Sequence, residues 1–409
     1  MSRGLSRRAL VLNSATVLAG GLGTRRAAFG GAPAPVARSE AWIPSEAMLD
    51  RLPGILELAS VPGLSIAVVD AGAVVWEGSF GVGHATAGGP VDGGTVFEAA
   101  SLSKPLVAYV ALILHQEGKL DLDRPMLEIF PQPSLGPDPA LRKITPRHVL
   151  SHSSGLPNWR PSPEGISTAF EPGSAFGYSG EGFVWLQRTL EHVAGQPFPA
   201  LMRERLLRPL GLSVTSFVRG PEHEASAAVG HSYRGDPLET YGMRAWPRLH
   251  ELARAWKRPV AEWRYEDSER AAREIDPSRP PVPDNILPNA ASSLVTTAVE
   301  YARFLAHLLD PDSSSGPALR PELRLAMGSP QVVVSGPLAW GIGWGLEART
   351  AVRWLWHWGD NGSFKTFAVA DPASRRGLVV LANGMGGRKV YERVVSDAVG
   401  TDLASLVWV

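Results

Sequence analysis

Cysteine is missing from all 409 residues, which excludes disulfides, thiolate nucleophiles and cysteine-ligated zinc together and leaves stability to packing. Neither sign of charge is in excess, since 40 Lys and Arg balance 40 Asp and Glu. Without a basic field the chain has no means of recruiting nucleic acid or anionic lipid. No run approaches the ~18 apolar residues of a membrane span. The H-E-x-x-H zinc motif is absent, His250-Glu251 having no second histidine at the needed offset, and so is the G-x-S-x-G elbow of another large hydrolase class. No metal or other cofactor is called for.

What remains is a globular composition, 44% hydrophobic and 20% charged, long enough for two domains or for one domain with a large insertion. Residues 1–38 read differently from the rest. Ser6-Arg7-Arg8 precedes a mildly apolar run to Leu22 and a small-residue stretch to Pro35, a pattern that resembles a bacterial twin-arginine export signal with its linker. The alternative is a basic tail. Export would place the mature protein in the periplasm or outside the cell.

Residues 39–409 are expected to form one catalytic domain of the α+β class. Helical spacing over Ser45 to Ala59, with Ser45 as N-cap, is expected to kink or break at Pro53-Gly54. Leu64–Asp70 and Val74–Gly81 read as a hairpin, and Gly88-Gly89-Pro90 as a loop. A nearly all-apolar helix follows from Pro105 to Gly118. From about 95 to 335 the periodicity is mostly helical, with an Arg- and Pro-rich insertion at 219–288 expected to lie on the surface without a catalytic part, a lid over a pocket being the alternative. Strands return at Trp340–Leu346, Val352–Trp358, Thr366–Ala370 and Gly377–Ala382, before a last helix from Lys389 to Leu406. The two ends of the chain are therefore expected to pair in one antiparallel sheet flanked by helices.

Three short elements carry chemistry. Ser101 stands three residues before Lys104, and no other lysine has a serine at that spacing. On a helix the pair shares a face, and a desolvated amine beside a hydroxyl takes its proton. Next, the Pro172-Gly173 turn delivers Tyr178 into a small-residue loop ending at Gly180. A phenol with its pKa lowered by a nearby ammonium would relay that proton. In the third, Trp356-His357-Trp358-Gly359-Asp360, His357 would hydrogen-bond substrate or the serine and tyrosine, and Gly359 would let a substrate backbone approach.

In this order and spacing the three elements resemble the S-x-x-K, Y-x-N and K-T-G or H-x-G boxes of the serine β-lactamase and penicillin-binding superfamily, with the class C type the nearest branch. Supporting phrases run through the chain: Leu150–Pro157, Pro209–Leu212, Gly230-His231, Pro288–Leu294 and Trp340–Trp344. The resemblance implies a β-lactamase/transpeptidase-like fold and an acyl-enzyme on Ser101, with Lys104 and Tyr178 handling its proton and His357 with Gly359 forming the third box. The oxyanion hole would be the Ser101 amide and one near Trp358 to Asp360. His152, Ser153, Ser154 and His231 are read as shaping loops. Gly180 stands where the Y-x-N box has asparagine, removing an amide that would hold an acylamide side chain, and His357 replaces a lysine that helps bind a substrate carboxylate. Both departures favour a small-molecule ester, or a D-amino-acid peptide of the D-aminopeptidase kind, over a β-lactam. A class C β-lactamase, a D-alanyl-D-alanine carboxypeptidase and a non-catalytic penicillin-binding sensor are the alternatives.

Overall fold

Strand Gly63–Asp70 and strand Arg376–Ala382 come from opposite ends of the chain and lie side by side, antiparallel, with Leu64 opposite Ala382 and Val69 opposite Gly377. The computed structural model describes residues 41–132, 135–163, 165–278, 282–310, 316–349 and 353–409, so the export-type leader read over 1–38 falls outside them. The sheet has nine strands, in the order Gly88–Pro90, Ala73–His84, Gly63–Asp70, Arg376–Ala382, Lys365–Asp371, Arg353–Asp360, Gly345–Ala348, Leu338–Trp340 and Val332–Ser335. Neighbouring strands pair antiparallel throughout it.

Period-two alternation sends alternate residues of each central strand into different cores. Leu64, Ile66 and Val68 meet the helices Glu46–Ala59 and Gly387–Val399 through Leu52, Leu56, Val390 and Val394. Ala67 and Val69 face the other side, where Ser103–Gln116 and Ala298–Leu309 pack with Val107, Val110 and Leu305. Both faces are thus covered, as the continuous apolar runs require. Among the described residues no helix is long and apolar enough to cross a membrane.

Local chemistry explains both matches and departures. The first hairpin turns on Ala71 and Gly72, both at positive φ (50° and 79°), as a two-residue turn matched to strand twist demands. Ser45 caps the first helix by accepting from Met48 N–H at 3.1 Å. That helix runs unbroken through Pro53, because its buried Met48, Leu52 and Leu56 stripe holds it against the sheet. Gly88–Pro90 is an edge strand paired with Ala73–His84, not a loop. The single strand expected over 340–346 is two, Leu338–Trp340 and Gly345–Ala348, folded back at Gly343 with φ 78°. The last helix is likewise two, Gly387–Val399 and Ala404–Trp408, divided by a left-handed Gly400 cap. Between 219 and 288 the unread helix Tyr241–Trp256 packs with Tyr265–Ile275 around a small separate core containing Trp246, Leu249, Trp263 and Ala271.

Candidate active site

The nucleophile candidate sits at a backbone irregularity. The short strand Phe97–Ala100 pairs with Leu294–Thr296 through a register shift. It ends at Ala100 with φ 51°, a left-handed conformation that costs a non-glycine residue free energy and persists only where surroundings enforce it. Ser103 Oγ donates to Ala100 O at 2.6 Å, and Lys104 N–H donates to Ser101 O at 3.0 Å. Ser101 therefore lies on the turn entering the Ser103–Gln116 helix, one residue before its Leu102 cap. The helical turn still brings Lys104 beneath it, as the S-x-x-K spacing requires.

Lys104 is the most constrained group in the site. It is 1% exposed, and its Nζ donates to Ser101 Oγ at 3.0 Å and to Ala291 O at 2.9 Å. Among the described residues no carboxylate pairs with it, and burial lowers its pKa to about 7. An amine that is in good part unprotonated near neutrality, beside a serine hydroxyl, can remove that hydroxyl's proton.

Tyr178 lies across from this pair, with Lys104 Nζ 4.9 Å from its ring centroid. His152 at 4.1 Å and Trp358 at 4.7 Å flank the ring, and His152 Nδ1 in turn accepts from Ser179 N–H at 3.1 Å. The phenol oxygen is buried and makes no hydrogen bond of ordinary geometry among the described residues. Burial raises its pKa, opposed only in part by Ser101 beside it. The lowered phenol pKa expected from the sequence is therefore reversed: desolvation outweighs the opposing effect of the Ser101 hydroxyl.

His357 and both glycines fall behind the cavity wall. His357, on strand Arg353–Asp360, is fully buried. Its Nδ1–H donates to Trp358 O at 2.7 Å, and its Nε2 has no partner among the described residues. Burial, then the nearby Lys104, lowers its pKa to about 3, so it is a neutral imidazole at physiological pH. Gly359 has a packing reason beyond the substrate approach expected of it. A Cβ there would stand 2.2 Å from Thr366 Oγ1 and 2.3 Å from Ala99 O, the carbonyl two residues before Ser101, which already accepts from Thr366 Oγ1 at 3.0 Å. Gly359→Ala is accordingly expected to cost about 1–3 kcal/mol of stability by overpacking, read as a lower urea midpoint, and to slow labelling of Ser101.

A cavity of about 580 Å³ opens over Ser101, Lys104 and Tyr178, with Trp358 and Asp360 on its wall. Several lining residues were not singled out from the sequence: Glu98, Asn158, Trp159, Tyr241 and Asn361. Three of them touch motifs that were, Asn158 following Leu150–Pro157, Asn361 lying within Trp356–Phe364 and Glu98 within Phe97–Val107. Thr240, Tyr241 and Trp246 come from the 219–288 segment, so the expected surface insertion supplies one wall of the site. Glu98 is buried beneath that wall. It accepts from Thr240 Oγ1 at 2.9 Å and Asn361 Nδ2 at 3.0 Å, and its burial raises its pKa.

Similarity to known proteins identifies the family and the fold. Penicillin-binding protein 4* of Bacillus subtilis is 27% identical over 194 residues, 41% of this chain and 42% of that protein. Esterase EstB of Burkholderia gladioli is 28% identical over 197 residues, 41% of this chain and 50% of the esterase. The chain thus spans half or less of the length of these two relatives. Among solved structures, a class C beta-lactamase superposes with a TM-score of 0.68 at 17% identity, covering 87% of this chain and 95% of the other, which establishes the β-lactamase/transpeptidase-like fold. The family described as Beta-lactamase matches residues 54–398, nearly the whole of the described fold, and the chain belongs to this β-lactamase and penicillin-binding-protein family of serine hydrolases.

Proposed function

We propose that the protein is an exported serine hydrolase that forms an acyl-enzyme on Ser101 and acts on esters or D-amino-acid peptide bonds rather than chiefly on β-lactams. The observation that carries this reading is Lys104: a buried, carboxylate-free amine with its pKa near 7, 3.0 Å from the serine oxygen. The Lys104 amine takes the Ser101 proton as Oγ bonds to the substrate carbonyl carbon. The oxyanion is held by the Ser101 amide and one in the Trp358 to Asp360 stretch. Tyr178, kept protonated by burial, hands its proton to the leaving group and recovers one from the Lys104 ammonium. Water then cleaves the acyl-serine and restores the hydroxyl. The leader at 1–38 supports the export part of the reading.

Two features argue against a dedicated β-lactamase. No amide side chain stands at Gly180, and a neutral His357 offers no cation for a substrate carboxylate. The test is to incubate the purified protein with a fluorophosphonate and with a fluorescent penicillin, then locate adducts by mass spectrometry. A fluorophosphonate adduct on Ser101 with little from penicillin is expected. Absence of a Ser101 adduct from both probes sinks the hydrolase reading, and strong penicillin labelling favours a penicillin-binding or β-lactamase activity.

A further inference from the structure

Gly180 is not merely an asparagine lost. A Cβ at this position would stand 2.7 Å from Trp159 Cζ2 and 2.8 Å from its Cη2, closer than real Cβ atoms approach a ring, so the indole fills the space a residue-180 side chain would need. Its seat is built in. Gly180 N–H donates to Asn158 Oδ1 at 2.9 Å and Glu181 N–H to Asn158 O at 2.8 Å. Arg160 Nε bonds Glu181 Oε1 at 2.9 Å. The loop bearing Trp159 is therefore stitched to the start of helix Gly180–Ala194 on both sides of the tryptophan.

Part of the remaining lining points the same way, although Asp284 and Asp360 also border the cavity. Its polar groups are largely committed within the protein: Thr240 and Asn361 to Glu98, and Asn289 Oδ1 to the Ala291 and Ser292 amides at 2.9 and 2.8 Å. Trp159, Tyr241, Trp246, Leu287 and Trp358 present rings and an aliphatic side chain to the same space. Apolar surface with few uncommitted hydrogen-bonding groups rewards an apolar ligand and leaves a buried amide unsatisfied.

Resting on the serine-hydrolase reading, we propose that Trp159 replaces the amide-reading corner of the site with an aromatic wall, and that the substrate's acyl group is aromatic or bulky and apolar, without an acylamide. The test compares three esters of one phenol, carrying acetyl, 4-phenylbutanoyl and hippuryl groups; the last two match in size but only hippuryl carries an amide. The 4-phenylbutanoyl ester is expected to exceed both others by about tenfold or more in kcat/KM, the scale on which hydrophobic pockets discriminate. Trp159→Ala and Gly180→Ala, the second by displacing the ring, should each shrink that preference. In the double variant Trp159→Ala/Gly180→Asn, hippuryl should gain on 4-phenylbutanoyl. A wild-type protein that turns over the hippuryl ester as well as the 4-phenylbutanoyl one, or prefers acetyl, overturns the aromatic wall even if every variant misfolds. Fluorophosphonate labelling of Ser101 in the same preparation separates the two failures, since its absence removes the hydrolase reading itself.

Discussion

Lys104→Ala is expected to lower the rate of Ser101 acylation by about 10²-fold or more, the usual scale of lost general-base catalysis, while the protein stays folded. The wild-type rate should climb with pH and level off above about 7, where Lys104 loses its proton. The sign follows from the required form. Only the free amine accepts the serine proton, so below that pKa the rate falls about tenfold per pH unit. Other groups near the serine do not account for such a limb. His357 titrates at about 3, burial holds His152 well below its usual range, and Tyr178 is pushed upward. Glu98 lines the same cavity and is raised by burial, so the control is Glu98→Gln, in which the limb should persist. The measurement is the rate of fluorophosphonate inactivation across roughly pH 5 to 9. A flat profile, or an unchanged rate in Lys104→Ala, moves the base elsewhere.

The parts of this site that were legible in the sequence are those fixed by local spacing. Ser101 and Lys104 are three residues apart on a helical turn, so their meeting needs no knowledge of the fold. The pairing of the chain's ends was legible because Gly63–Asp70 and Arg376–Ala382 are continuous apolar runs that only a sheet covered on both faces can bury. Electrostatics was not legible. The direction of the Tyr178 shift depends on desolvation, which is a property of its neighbours His152 and Trp358 rather than of its own segment. The packing role of Gly359 was not legible for a similar reason. A glycine in a motif admits either substrate or protein, and here the close neighbours are Thr366 Oγ1 and Ala99 O. Trp159 was missed because its function is steric occupation of another residue's space, which leaves no periodicity or motif to find. The 219–288 insertion shows the same limit, since its composition announces a surface segment but only its folded path brings Tyr241 and Trp246 to the cavity.

Glu181→Ala is expected to be the costliest single change near the site, destabilising the protein by about 3–5 kcal/mol, as removal of one partner from a buried ion pair does. Glu181 is 1% exposed and Arg160 nearly as buried, at 10% of the side chain. The carboxylate accepts from Arg160 Nε at 2.9 Å as well as from its NH2 group. Truncation leaves a mostly buried guanidinium without its hydrogen-bonded carboxylate and with only the field of Glu269 to offset its charge, and that penalty rather than the lost attraction dominates. The check is the urea midpoint of Glu181→Ala against the double variant Arg160→Met/Glu181→Leu, which carries no charge to strand and should recover most of the loss. A cost below about 1 kcal/mol for the single change would class the pair with exposed bridges. The pair also fixes the residue after Trp159, so the two variants separate stability from specificity. If the double variant regains stability while its preference for a bulky apolar acyl group stays reduced, the ion pair's contribution to function is the placement of the indole over Gly180.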